Sequence, residues 1–153
     1  MAGFIFFTYK KFGLTMKEKT INILGKDIDL IYCQATEKAF EDISPKDISI
    51  FFPREEKDEN GNTIVLPATA TVGDYVMLGF AAIVACSTKK KEKRPPVDGD
   101  DLMFEMSPAE RDVLIGAIIE LKNQWYGIPN SVEEMLKKEA EDQLKGDEQP
   151  KNV

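Results

Sequence analysis

The sequence of 153 residues contains no histidine, only two cysteines and a single tryptophan. Because histidine is absent, the chain lacks the commonest general base and the commonest ligand of transition metals. The sequence also has no glycine-rich phosphate loop, no cysteines at metal-binding spacing and no nucleophile elbow. We therefore predict a protein that is not an enzyme and that holds no cofactor and no metal.

Positive charge is also scarce, with 20 Lys and Arg against 27 Asp and Glu and a net charge of −7. Proteins that bind nucleic acid generally need clustered basic residues that displace counterions from the phosphates. The one basic run, from Lys89 to Arg94, precedes two prolines. It is typical of a solvated loop, with phosphate contact as the alternative, and we predict no nucleic-acid partner.

The two cysteines, Cys33 and Cys86, lie in separate apolar runs. Two cysteines placed in this way are typical of reduced cysteines in a reducing compartment, and a disulfide or metal pair is the alternative. Residues 1–15 are apolar and aromatic, but no basic segment precedes their apolar part as it would in a signal peptide. We predict a cytoplasmic protein with an extension before Met16, and a membrane or partner anchor is the alternative for that segment.

The longest apolar run extends from Val72 to Cys86, and Asp74 is its only charged residue. Thr71 and Asp74 form a capping-box pattern, which predicts the start of a helix. Fifteen helical residues span about 22 Å, less than the roughly 30 Å hydrocarbon core of a bilayer. We therefore predict no membrane partner and a helix that is covered by its own chain, by a second copy or by a client protein.

Two short β-rich runs, Thr20–Leu24 and Ile28–Tyr32, flank the tripeptide Gly25-Lys26-Asp27. Glycine supplies a positive φ, so this pattern predicts a β-hairpin with a short turn. Apolar residues alternate with polar ones in both runs, and we expect one face of the hairpin to lie against a core. The alternating apolar residues are Ile21, Ile23, Ile28 and Leu30.

The signals for secondary structure are weaker in the residues after the hairpin. Thr36 is predicted to cap a short helix that runs to Ile43. The stretch 44–52 fits a capped helix and a strand equally well. Residues 54–62 are typical of a polar loop, with a calcium loop as the alternative, and residues 63–66 of a short strand.

The tetrapeptide 107–110 combines three helix-start signals, namely Ser107 as N-cap, Pro108 at the first helical position and Glu110 as capping-box partner. It predicts a helix that runs to Tyr126 and stops at Gly127. The apolar stripe of this helix comprises Leu114, Ile118, Leu121 and Trp125.

The acidic residues that precede this helix are Asp98, Asp100 and Asp101. They are typical of a turn, with a hard-cation site as the alternative.

These elements predict an α+β fold in which an N-terminal β-hairpin packs on a small bundle of three to four helices, followed by a flexible acidic C-terminal tail. The predicted organisation is an extension at 1–15, a single domain at 16–130, and an amphipathic helix with a disordered tail at 131–153. The apolar line of that last helix comprises Val132, Leu136, Ala140 and Leu144.

The order of these elements resembles that of the tail assembly chaperones of tailed phages and prophages of anaerobic gut bacteria. The resemblance covers roughly Lys17 to Pro129, and it rests on the segments INILGKDIDLIYC, TEKAFEDI, DYVMLGFAAIVAC and SPAERDVLIGAIIELKNQWYGIP. The polar insertion between Phe52 and Pro67 and the residues before Met16 depart from the family pattern.

The resemblance implies a small, non-catalytic cytoplasmic protein that binds the tape measure protein, or another tail protein, and keeps it soluble during tail morphogenesis. Such a protein needs an apolar surface that stays exposed until the client arrives. The candidate partner-binding residues are Tyr75, Leu78, Phe80, Trp125, Tyr126 and Leu136. A homo-oligomer is left open, and the alternative function is a structural virion accessory protein of the head–tail joint or tail tube.

Overall fold

The computed structural model describes residues 17–129. The predicted extension 1–15 and the predicted segment 131–153, which includes Leu136, lie outside these described residues. In chain order the elements are β1 (Glu18–Ile23), β2 (Lys26–Ile31), α1 (Gln34–Ile43), a 3-10 helix (Ile48–Phe51), β3 (Arg54–Lys57), β4 (Thr63–Leu66), α2 (Val72–Lys89), α3 (Gly99–Phe104) and α4 (Pro108–Tyr126).

The predicted α+β class is confirmed. The β1–β2 hairpin and the helices α1, α2 and α4 enclose one main core, and β3 and β4 form a second two-stranded sheet. Side chains with no exposed surface come from both strands of the first hairpin and from three helices; they include Ile23, Ile28, Leu30, Phe40, Leu78, Ile83, Leu114 and Ile118.

The first hairpin has the predicted apolar face but a tighter turn than predicted. β1 and β2 pair antiparallel with Ile21 opposite Ile28 and Ile23 opposite Lys26. The turn therefore consists of Leu24 and Gly25 alone, and Lys26 already belongs to β2. Both turn residues have positive φ, 53° and 73°, as two-residue turns that match the twist of the strands require.

The apolar helix α2 lies at the centre of the core, and it starts with the predicted capping box. Thr71 Oγ1 accepts a hydrogen bond from the backbone N–H of Asp74 at 3.2 Å, and Asp74 Oδ2 accepts one from the N–H of Thr71 at 2.8 Å. Asp74 is buried and also binds Lys46 Nζ at 2.9 Å. Gly79 allows close packing, because a methyl group there would lie 2.8 Å from the side chain of Leu114 on α4.

Helix α2 continues beyond Cys86 to Lys89, three residues further than predicted. By length and composition this helix of 18 residues, with a mean hydropathy of 1.2, is able to cross a membrane, so the predicted length no longer argues against a span. Of these residues 56% are buried inside the protein, as they are in the core helix of a soluble protein. The absence of a membrane partner stays a prediction.

Helix α1 starts earlier than predicted, because Cys33 and not Thr36 is its N-cap. Thr36 is fully buried in the first turn, where its hydroxyl accepts from the N–H of Cys33 at 3.2 Å and donates to the carbonyl of Ile31 at 2.9 Å. It therefore joins the helix start to the end of β2.

Three segments have a structure that the sequence did not predict or left open. The stretch 44–52 is neither an α-helix nor a strand but contains the 3-10 helix Ile48–Phe51, which Asp47 caps. The predicted loop 54–62 begins with strand β3, which pairs with the predicted strand β4. The predicted acidic turn opens helix α3, whose N-cap is Asp98.

Helix α4 has the predicted start and end. Ser107 caps it together with Glu110, and Gly127 ends it in the left-handed conformation with φ 70°. Three residues of the predicted stripe, Leu114, Ile118 and Leu121, are buried, and Trp125 is partly buried against the same core.

Candidate functional site

An apolar groove of about 230 Å³ lies where the first turns of α2 and α4 meet α3. Its polar lining includes Ser107 and Arg111. We call it the methionine groove, since its apolar lining comprises Val72, Val76, Leu102, Met103, Met106 and Pro108. Methionine is flexible and polarizable, which suits a surface that must fit varied apolar side chains.

Two of the apolar residues that line the methionine groove are unusually exposed. Val72 and Met103 are each more than half exposed, and Phe104, which follows Met103 in α3 but does not line the groove, is 86% exposed. Single exposed apolar residues are ordinary, but a cluster of them beside a groove is typical of an interaction site.

Three helix caps position the methionine groove, because each fixes where a lining helix begins. Val72 and Pro108 are the first helical residues of α2 and α4, and Leu102 anchors α3 in the core. In each cap a side-chain oxygen accepts a hydrogen bond from the backbone N–H three residues later. The acceptors are Thr71 for Asp74 at 3.2 Å, Asp98 for Asp101 at 2.8 Å, and Ser107 for Glu110 at 3.2 Å.

The sequence does not predict this groove, because the acidic residues at 98–101 are typical of a turn. The available signal was Asp98 three residues before Asp101, an N-cap pattern, followed by the apolar residues Leu102, Met103 and Phe104. Of the five predicted partner-binding residues that the structure describes, none is among those that line the groove.

The predicted partner-binding residues on α2 belong mainly to the core. Leu78 has no exposed surface. Tyr75 is partly buried and meets the ring of Phe51 edge-on at 5.0 Å between centroids. Phe80 is also partly buried, and its ring lies beside Gly99 at the start of α3.

The predicted aromatic residues at the end of α4 lie at a different place. Trp125 is partly buried, and Tyr126 is partly exposed but held in a cluster. The hydroxyl of Tyr126 donates to Glu37 on α1, and its ring meets Phe52 edge-on at 5.0 Å. Tyr32 donates to the same Glu37 carboxylate oxygen at 2.7 Å.

Lys122 completes this aromatic cluster from one turn earlier in α4. The residue is only 7% exposed, and its ammonium lies 4.5 Å from the centroid of the Phe52 ring, a cation–π geometry. Burial lowers the pKa of Lys122, and the charge of Glu37 offsets part of that change. Burial, together with the bond to Glu37, raises the pKa of both Tyr32 and Tyr126.

These groups fasten the C-terminal end of α4 to α1 and to the 3-10 helix. Because both tyrosine hydroxyls donate to one carboxylate, the cluster is suited to a structural role.

The predicted solvated basic run contains one residue with a structural role. Lys90 Nζ binds Glu18 on β1 at 2.8 Å and also binds Asp29 on β2. The hydrogen bonds to Asp29 and Glu18 raise the pKa of Lys90, and the bond to Lys90 lowers the pKa of Asp29. This residue therefore joins the end of α2 to the first hairpin.

The two cysteines are free thiols that meet in one small apolar cluster. Cys86 is buried beside Ile31 and Ala85, and Cys33 packs against this cluster while remaining partly exposed. Burial, with the nearby Glu18 carboxylate, raises the pKa of Cys86 to about 11. The Cys86 thiol is therefore neutral at physiological pH.

Within residues 17–129, no three His, Cys, Asp or Glu residues are placed to hold a metal ion together. The carboxylate of Asp98, one of the three that the cation alternative invoked, caps α3.

Comparison with known proteins gives one short match. A stretch of 46 residues is 41% identical to part of the cytoplasmic dynein heavy chain of Caenorhabditis elegans, and it covers 28% of this chain and 1% of that protein. No family model matches the chain, and no solved structure matches it. A match to 1% of a protein assigns this chain to no family.

Proposed function

We propose that this chain is a non-catalytic tail assembly chaperone that binds an apolar helical segment of the tape measure protein and keeps it soluble during phage tail morphogenesis. The observation that carries the proposal is the methionine groove, in whose lining Val72 and Met103 are each more than half exposed. The family resemblance of the sequence supplies the identity of the client.

The size of the groove suits side chains rather than a whole small molecule. Its volume of about 230 Å³ is below the roughly 300–1,000 Å³ of typical small-molecule pockets. An amphipathic helix inserts a few apolar anchors, spaced three or four residues apart, into a groove of this kind. The net charge of −7 helps to keep a protein with such a surface soluble and monodisperse.

The test is co-expression of the full chain with the tape measure protein of the same genome, followed by measurement of the client in the soluble fraction. We expect the wild-type chain to raise the soluble amount of client and the variant Met103→Asp to lose most of this effect. Met103 lines the groove and is more than half exposed, so the substitution leaves the fold intact.

The matched control is Val113→Asp, which introduces the same charge at an exposed valine of α4 that does not line the groove. This variant should protect the client as well as the wild type does. A client that stays insoluble with the wild-type chain overturns the chaperone function. Full protection by Met103→Asp overturns the assignment to the groove alone.

The alternative, a structural virion accessory protein, differs in where the protein is found. A chaperone is released before the tail is complete, so mass spectrometry of purified virions should find the tape measure protein without this chain. Its presence in virions at a fixed ratio to a tail protein would favour the alternative.

A further inference from the structure

The second hairpin, β3–β4, stands out because both of its faces are exposed. Of its eight strand residues only Leu66 is partly buried. Among the described strands, β3 and β4 pair with each other alone. A two-stranded hairpin of this kind is marginally stable in water, and a further strand on either edge stabilises it.

The two edges of this hairpin differ in charge. β3 has the sequence REEK, in which every residue is charged, whereas β4 has the sequence TIVL. Charged side chains on an edge strand discourage pairing with another chain. β4 lacks this protection, and it is rich in β-branched residues, of which Val65 is 65% exposed and Ile64 is also exposed.

The backbone groups that β4 presents outward follow from the register. The N–H of Asp58 donates to the carbonyl of Asn62 at 2.9 Å, which makes these two residues a hydrogen-bonded pair. Glu56 lies opposite Ile64 in the same ladder, and bonded pairs recur at every second residue. The backbone of Ile64 therefore faces β3, whereas the N–H and C=O groups of Thr63 and Val65 face away from it.

We propose that β4 pairs antiparallel with β4 of a second copy of this chain, with the two Ile64 residues facing each other at the two-fold axis. Thr63 of each copy then lies opposite Val65 of the other, and their outward groups form four backbone hydrogen bonds. A register centred on Val65 is poorer, because it places Thr63 opposite Pro67, which has no N–H to donate.

A second copy is the occupant that the charge pattern favours. The dimer joins the two uncharged strands at its centre and leaves the two charged β3 strands as the outer edges of a four-stranded sheet. Such a contact is self-complementary and closes after two copies. It also packs the exposed Ile64 side chains of the two copies against each other on one face of the sheet, and Val65 against Thr63 on the other.

The test measures the dissociation constant of the dimer by sedimentation velocity of the full chain over a wide range of concentration. Ile64→Lys places two lysines opposite each other, and like charges in that position oppose pairing. Ile64→Glu does the same with carboxylates. Each variant alone should raise the dissociation constant by about tenfold or more, since apolar burial at the centre is also lost.

The decisive measurement uses a mixture of the Ile64→Lys and Ile64→Glu variants. Lysine then faces glutamate across the axis, so the mixture should form a heterodimer that neither variant forms with itself. The control Val113→Lys, at an exposed position of α4, should dimerise as the wild type does. A wild-type chain that stays monomeric, or a dimer that Ile64→Lys leaves unchanged, overturns the proposal and leaves the β4 edge to a strand of a different protein. The experiment uses this chain alone and is independent of the chaperone function.

Discussion

The carboxylate of Glu110 accepts a hydrogen bond from the backbone N–H of Leu24, although the two residues are 86 positions apart in the chain. Its other oxygen accepts from the N–H of Ser107 at 3.1 Å. One side chain thus caps α4 and holds the β1–β2 turn. Leu24 needs such support because its φ of 53° is unfavourable for a residue with a side chain.

The first prediction concerns this bond. Glu110→Gln keeps the shape of the side chain but leaves one oxygen to serve two N–H groups, so the urea midpoint of unfolding should fall. Bonds to the N–H groups of Leu24 and Ser107 lower the pKa of Glu110. The stabilisation by the carboxylate is therefore present at neutral pH and is lost as the pH falls through this lowered pKa.

Urea titrations at pH 7 and at pH values below 4 measure this effect. The difference between wild type and Glu110→Gln should shrink in acid. The matched control is Glu59→Gln in the exposed β3–β4 turn, which should leave the midpoint unchanged. Parallel pH profiles for wild type and Glu110→Gln would contradict the assigned bond.

The second prediction compares two helical glycines. A methyl group at Gly79 would lie 2.8 Å from two carbons of Leu114, whereas one at Gly116 meets nothing within 4 Å. Gly79→Ala should therefore destabilise the protein by about 1–3 kcal/mol through overpacking. Gly116→Ala should stabilise it by roughly 0.5–1 kcal/mol through backbone entropy. Chemical denaturation of both variants gives the two free energies of unfolding, and equal signs would contradict the close contact of α2 and α4.

The third prediction concerns the buried Lys122. Because burial lowers its pKa in the folded protein, the unfolded chain binds more protons between that pKa and the ordinary value of about 10.4. The free energy of unfolding of the wild type, relative to Lys122→Met, should therefore rise with pH in this window. The slope cannot exceed about 1.4 kcal/mol per pH unit for one proton.

Denaturation of both proteins from neutral pH to about pH 9.5 checks this, since tyrosines ionise mainly above that range. Exposed Lys38, which forms a surface pair with Asp42 at 3.2 Å, supplies the control variant Lys38→Met. A pH-independent difference between wild type and Lys122→Met would show that the ammonium is well solvated.

The fourth prediction separates the two cysteines by reactivity. Cys86 is buried with a pKa of about 11, whereas Cys33 is partly exposed. Iodoacetamide at pH 8 should therefore alkylate Cys33 of the native protein well before Cys86, since the thiolate is the reactive form. Peptide mass spectrometry measures the extent at each site, and denatured protein, in which both sites react, is the control. Faster labelling of Cys86 would contradict its buried position.

The sequence predicted the elements whose signals are local. Helix α4 carries its cap, its proline and its terminal glycine within its own residues, and α2 carries a capping box. Alternation of isoleucine and leucine predicted the apolar face of the first hairpin. Weak or mixed signals failed, as at Thr36 and in the stretch 44–52, because contacts with distant residues decide the conformation there.

By itself the sequence thus determined the class of fold and the positions of the main helices, since periodicity and caps depend on near neighbours. Only the tertiary structure decided which apolar residues stay exposed. Leu78 and Phe104 are similar apolar residues in the sequence, yet the first lies in the core and the second in solvent. Exposure depends on which helices pack together, and the bond between Leu24 and Glu110 depends on the same packing.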